Sequence, residues 1–214
     1  MKIDFVSDVA CPWCAVGLNA LEAALARIDG EFPVELHFQP FELNPDMGAE
    51  GADAAAYLKA KYGMGDAQLA QNRANIRERG AVVGFTFGER THVWNTFDSH
   101  RLLHWAGVEG PEGSQRRLKH ALLKAYHGDG RNPGATDVLV ELAAEVGLDA
   151  DEALGVLQSD RYAADVRASE QQWQQAGIQS VPSVIIDGRH LITGGQPAAV
   201  FEQALRQIAA SAPG

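Results

Sequence analysis

The chain has 214 residues, 46% of them apolar, and a formal net charge of −10 from 18 basic and 28 acidic side chains. That length suits one full-sized domain, or a small domain with a large insertion, and the composition excludes disorder, collagen and coiled coil as whole-chain descriptions. The negative charge works against a phosphate backbone, so no nucleic-acid partner is expected. The densest basic group, Arg116, Arg117, Lys119 and Lys124, reads as a solvated helix face.

Residues Met1 to Asp8 place an acidic residue fourth and contain no apolar core segment, so they lack signal-peptide form. No apolar run approaches the roughly 18 residues of a membrane span. A cytoplasmic location without membrane attachment is the expectation. Lys2 to Ser7 alternates and predicts a first strand. The period then changes: Cys14, Leu18, Leu21, Leu25 and Ile28 form one helical stripe, with Gly30 placed to end it. Val34, Leu36 and Phe38 alternate again, which completes a β-α-β unit over residues 2–40.

From Ala52 to about Gln175 the signals are helical. Leu118, Leu122 and Tyr126 share a face, as do Leu139, Leu142, Ala143 and Val146. Thr136 and Asp137 suit a helix start and Gly147 a stop. Tyr62 to Gly65 and Gly107 to Gly113 read as loops. The strand period returns at Val184, Ile185 and Ile186. Asp187-Gly188 is a hairpin turn signal, with His190-Leu191-Ile192 as the return strand. A last helix is predicted to carry Val200, Phe201, Leu205 and Ile208 inward.

Both cysteines fall in Cys11-Pro12-Trp13-Cys14, which excludes a disulfide-stapled secreted scaffold. Cys11 lies at the start of the first helix, where unpaired N–H groups and the helix dipole favour a thiolate. Its pKa is expected to fall, to roughly 3.5–7.5 in motifs of this type. Pro12 suits the first helical turn. Cys14 stands one turn on, beside Cys11 and on the apolar stripe. Cys11 is therefore the attacking sulfur and Cys14 the buried, resolving one. Zinc would need two further ligands; the i, i+4 pair His100 and His104 is the one candidate, and no metal is expected. A purely structural pair is the remaining reading.

Pro182 stands at the entry to the strand Ser183 to Ile186, where a missing N–H is tolerated. At this point the residues resemble a known family. The Cys-Pro-x-Cys helix start, the helical insertion and the late Val181-Pro182 before a hairpin look like the DsbA-like branch of the thioredoxin superfamily. The chain most resembles its cytoplasmic FrnE-type proteins. The likeness spans essentially the full chain and includes Asp8, Phe41-Glu42-Leu43-Asn44-Pro45, Asn95 to Leu102, and Gly194-Gly195-Gln196.

The resemblance implies an α/β, thioredoxin-like fold with a large all-helical insertion. Residues 1–50 and 159–214 would form the two parts of the thioredoxin-like domain, and 51–158 the insertion. It implies a cis Val181–Pro182 bond against the cysteine pair, with the backbone of Val181 aligning a substrate peptide by short strand addition. It implies a thiol–disulfide oxidoreductase or isomerase acting on protein, peptide or small thiol substrates. No cofactor is required beyond the redox-active disulfide, with glutathione as a candidate co-substrate and glutathione or thioredoxin as reductant.

Trp13, with Pro12, would tune redox poise, and strong-oxidant behaviour is not carried over because DsbA has a histidine where Trp13 stands. Asp8 either relays protons near Cys14 or caps the local turn, the latter favoured. His100 is a candidate for the cleft, against a reading as a packed, hydrogen-bonded histidine. Trp94, Phe97 and Trp105 read as core before substrate surface. The alternative function is a glutathione-dependent isomerase or transferase, of the 2-hydroxychromene-2-carboxylate isomerase or kappa-class type. Members of that type generally have serine at the position of Cys11 and lack the second cysteine. A non-enzymatic binding module is the third reading.

Overall fold

A computed structural model describes residues 1–211 of the chain. Strand β1 (Lys2–Ser7) is central, with β2 (Glu35–Pro40) parallel to it on one side. On the other side β5 (Ser183–Ile186) and then β6 (His190–Thr193) follow antiparallel, so the sheet order is β2-β1-β5-β6. Asp187 and Gly188 both have positive φ, 49° and 66°, the conformation a two-residue hairpin turn with strand-matching twist demands.

The structure buries nearly the whole of β1 because both faces are covered. Ile3 and Phe5 pack with Leu18 and Leu21 of helix α1 (Pro12–Arg27) and with Phe201 and Leu205 of helix α9 (Ala198–Ser211). Val6 faces the opposite layer, with Phe41, Ile178, Ile185 and Trp173. Each large apolar side chain so buried contributes roughly 1.5–3 kcal/mol before entropy is counted. Asp4, on the same strand, is compensated by Gln39 Nε2 at 2.6 Å and Lys2 Nζ at 3.0 Å.

Helix α1 starts at Pro12 as predicted. Its last residue is Arg27, capped by Ile28, and Gly30 turns the chain two residues later (φ 77°). On α9 Val200 is 42% exposed, contrary to expectation, while Phe201 and Leu205 alone complete the buried stripe. The helix needs only that narrow seam to cover α1.

The intervening helices are α2 (Ala54–Tyr62), α3 (Asp66–Val82), α4 (Phe97–Val108), α5 (Ser114–Leu123), α6 (Thr136–Glu145), α7 (Ala150–Leu157) and α8 (Ala163–Gln175). Leu102, Trp105, Leu118, Leu122, Tyr126, Leu139 and Val156 form a second core among α4 to α7. Val9 and Ala10 belong to that same core, so the insertion grips the turn just before the cysteines.

Several local expectations change. Helix α4 runs through Gly107 to Val108, held by Glu109 N–H to Trp105 O at 2.8 Å. A two-residue ribbon, β3 (Ala52–Asp53) with β4 (His92–Val93), interrupts the helical block. Helix α5 continues into a π-helical turn, Lys124–Gly128. Lys119 is not on a solvated face: it is 1% exposed, because α5 packs on α4 and turns Lys119 toward His100, His104, Gln39 and Pro40.

Candidate active site

The β1–α1 turn sets the first feature. Cys11 is the N-cap residue of α1, in extended conformation (φ −89°, ψ 114°), with Pro12 in the first turn. Its Sγ therefore stands at the helix end whose N–H groups favour negative charge. Cys14, one turn in, is on the buried face. Cys14 has no exposed surface, as its place on the apolar stripe suggests, and Cys11 has 5%, more enclosed than the sequence suggests. Both are free thiols. Cys11 lines a cavity of about 810 Å³ and Cys14 does not, so Cys11 alone is presented to a ligand.

The electrostatics separate the two sulfurs further. A hydrogen bond from Cys14 holds the Cys11 thiol below its ordinary pKa against the opposing effect of burial, helped by the N–H groups of Cys14 and Trp13. Cys14 is pushed well up, first by burial and then by its contact with the negative Cys11. Asp8 opposes ionisation of Cys11 by its own charge.

Asp8 is fully buried and its carboxylate ties the turn together. Oδ1 accepts from Ala10 N–H at 3.0 Å and Thr96 Oγ1 at 2.7 Å, and Oδ2 accepts from Leu43 N–H at 2.7 Å. Burial raises its pKa, but the His100 contact and these backbone donors outweigh that and leave it below the ordinary value. The capping role is thus the one the geometry expresses. His100 is drawn to this same carboxylate, with Nε2 3.4 Å from Oδ1. It is 2% exposed and lies behind the motif, outside the large cavity, which corrects its placement in the cleft.

Val181–Pro182 is cis, and Cys11 Sγ–H donates to the Val181 carbonyl at 3.5 Å. Val181 stands outside the sheet ladder, whose pairing with β1 begins at Ser183. Pro182 rests on α1 at Gly17, where a Cβ would lie 2.9 Å from Pro182 Cγ. Trp13 is half-buried; the Arg79 guanidinium sits 5.9 Å from its ring centroid, and Arg79 Nη2 donates to Gly195 O at 2.7 Å. Gly194, at φ 79°, makes the turn that presents Gly195.

Helices α2 and α3 and the connection between them roof the cavity with Tyr57, Leu58, Tyr62, Met64, Leu69 and Ile76. Below, two side chains hold the backbone leading to Cys11. Arg90 Nη1 donates to Ala10 O at 3.0 Å, and His127 Nε2 lies 2.8 Å from Val9 O, which fixes the tautomer that donates there. Burial, reinforced by the Arg90 charge, lowers the His127 pKa to about 3. Neither residue, nor Lys119, carries a sequence motif. The π-helical turn that orients His127 is not marked in the sequence either. Trp105 is core and Phe97 lies under the Arg167 guanidinium, and neither they nor Trp94 line the cavity. Among the described residues no three His, Cys, Asp or Glu side chains gather as a metal site. Among them, too, no helix is long and apolar enough to cross a membrane.

The solved probable DsbA oxidoreductase SCO1869 of Streptomyces coelicolor is 36% identical, with a TM-score of 0.92 over 100% of this chain and 92% of that one. The uncharacterised protein YwbO of Bacillus subtilis is 28% identical over 207 residues, 96% of each chain. The fold extends to 2-hydroxychromene-2-carboxylate isomerase (TM-score 0.73, 15% identity, 98% and 96% coverage) and to the cytosolic disulfide reductase DsbM of Pseudomonas aeruginosa (0.66, 19%, 99% and 100%). The family model of the DSBA-like thioredoxin domain matches residues 2–206. With its sheet, its inserted helices and its paired cysteines, this chain belongs to the DSBA-like thioredoxin domain family.

Proposed function

We propose that the protein is a thiol–disulfide oxidoreductase working through Cys11 and Cys14. The observation that carries this reading is the inequality of the two sulfurs: Cys11 faces the cavity with a lowered pKa, and Cys14 sits behind it with a raised one. Cys11 thiolate attacks a substrate disulfide and forms a mixed disulfide. Cys14 then attacks Cys11 and releases the substrate. The backbone of Val181, free of the sheet and 3.5 Å from Cys11 through its carbonyl, aligns an extended segment of substrate. Trp13 and Pro12 shape the surface around the attacking sulfur.

Protein or peptide disulfides are the proposed substrates, with a thiol such as glutathione or thioredoxin as electron partner. A reducing, cytoplasmic setting belongs to the same proposal. A DsbM structure holds glutathione, and DsbM is described as a cytosolic reductase, which supports the choice by likeness of fold. Purified protein is expected to reduce insulin disulfides, and Cys11→Ser to abolish this. Absence of both reduction and dithiol oxidation, with Cys11 unreactive to iodoacetamide, would overturn the reading.

A glutathione-dependent isomerase or transferase is the second reading. The roofed cavity favours it, since about 810 Å³ is the size of a small-molecule site. Conversion of an aromatic substrate in the presence of glutathione, undiminished in Cys14→Ser, would select it.

A further inference from the structure

Arg73 and Arg77 lie four residues apart on α3, both exposed, and both line the cavity that Cys11 lines. Among the described residues neither makes a hydrogen bond or an ion pair. Arg79 and Arg90, by contrast, are each held by a backbone carbonyl, of Gly195 and of Ala10. Two like charges at this helical spacing repel each other. The positions three and four residues from them, where a carboxylate would relieve that repulsion, hold Leu69, Ala70, Ala74, Ile76, Gly80 and Ala81. A helix face that served solubility alone would mix its charges, the more so in a chain with 28 acidic side chains against 18 basic ones.

The cavity as a whole has the opposite sign to the molecule. Among the described residues, its charged lining side chains are Arg73, Arg77 and Arg90 against Glu89 alone, while the chain carries a net charge of −10. His127 also lines it and, with a pKa of about 3, adds no charge near neutral pH. Tyr57, Leu58, Met64 and Ile76 supply walls of low polarity, which focus such a field inside a cleft. Arg79, over Trp13, pins the end of α3 to the cysteine motif. A helix rises about 1.5 Å per residue, so Arg77 and Arg73 stand about 3 and 9 Å along the axis from that anchor, the scale of one short disulfide molecule.

We propose that Arg73 and Arg77 select disulfides flanked by carboxylates, so that the roof helix sets the substrate class of the Cys11 site. The proposal rests on the thiol–disulfide reading above. A guanidinium offers two parallel N–H donors that match a carboxylate, and an exposed arginine with no partner in the protein is free to make that pair. The two arginines also answer a problem of like charge. Cys11 attacks as a thiolate, which repels an incoming anion, and two cations in the same cavity offset that repulsion. A neutral disulfide gains nothing from them and a cationic one is turned away.

The test is the rate at which dithiodipropionate, hydroxyethyl disulfide and cystamine oxidise the reduced wild-type protein. Each rate is divided by the same disulfide's rate with free mercaptoethanol, which removes the reactivity of its own leaving thiol. At low salt the anionic disulfide is expected to lead the neutral one by roughly tenfold, and the cationic one to trail. In about 1 M salt, where screening acts over about 3 Å, the lead is expected to shrink toward unity. Arg73→Gln with Arg77→Gln is expected to lower the anionic-to-neutral ratio, and Arg73→Glu with Arg77→Glu to invert it; a merely structural role would slow all three disulfides alike. No anionic lead in the wild type, a lead indifferent to salt, or the same ratio in the folded double variant would overturn the proposal. A peptide disulfide flanked by glutamate, set against the same peptide with glutamine, separates the sources of the carboxylate: a glutamate preference admits acidic segments of peptides, and equal rates assign the cavity to small molecules. Failure of all three small disulfides to oxidise the wild type would instead remove the thiol–disulfide reading, which keeps the two ideas apart.

Discussion

Pro182 rests directly on Gly17. A Cβ at position 17 would lie 2.9 Å from Pro182 Cγ and 3.4 Å from the Gly195 Cα. In an exposed helix, alanine in place of glycine gains about 1 kcal/mol. Here the overlap works against that gain. Overpacking costs about 1–3 kcal/mol, so Gly17→Ala is expected to lower the urea midpoint of unfolding. It is also expected to reduce insulin turnover by more than the stability change explains, because Val181 moves with Pro182. A rise in the midpoint would show that the loop yields freely.

The lowered pKa of Cys11 depends first on the hydrogen bond from Cys14. Cys14→Ala removes that donor and is expected to move Cys11 back toward an ordinary thiol. At any pH below the Cys11 pKa, each unit of rise removes about tenfold from the thiolate fraction. Iodoacetamide rates against pH would show the inflection shifted upward. An unshifted inflection would assign the activation to the helix end alone.

His127 ties stability to pH. Its pKa is about 3 in the folded protein and 6.5 unperturbed. The folded pKa is depressed, so the unfolded chain binds a proton below pH 6.5 that the folded protein refuses. The contribution is present above pH 6.5 and is lost as pH falls toward 3, at roughly 1.4 kcal/mol per pH unit. Urea denaturation between pH 6.5 and 5 is expected to show this slope, and His127→Gln to flatten it. Carboxylates with lowered values, Asp8 among them, titrate below that window.

Arg79 fastens the roof. Its bond to Gly195 O and its place over Trp13 join α3 to the opposite wall. Arg79→Ala is expected to cost no more than about 1 kcal/mol globally. It should nonetheless speed proteolysis within α3 and raise turnover of bulky protein disulfides over small ones. Unchanged proteolysis would mean that the roof is held by its apolar contacts.

The parts of the site that the sequence shows are those built from local geometry. Cys11 and Cys14 sit at a strand-to-helix switch, and Asp187-Gly188 makes the turn its residue types demand. Lys119 and His100 were obscure for the opposite reason. Helical periodicity places Lys119 beside Arg116 and Arg117, and only the packing of α5 on α4 decides that Lys119 turns inward while Arg116 stays wet beside Glu22. His100 has no periodic signal for the carboxylate it meets, since Asp8 lies 92 residues away. The strands β3 and β4, two residues each, are too short to carry a period at all.

The groups that bear on Cys11 come from two scales of the chain: Cys14 and the helix end stand beside it, while Arg90 and His127 beneath the preceding turn and Val181 opposite the sulfur lie far downstream. A chain still emerging during synthesis can form the local pair at once. The fixed backbone before Cys11 and the free edge at Val181 arrive only after residue 181 has been made and seated. The order of synthesis thus supplies the reactive sulfur first and the surface that aligns a substrate against it last.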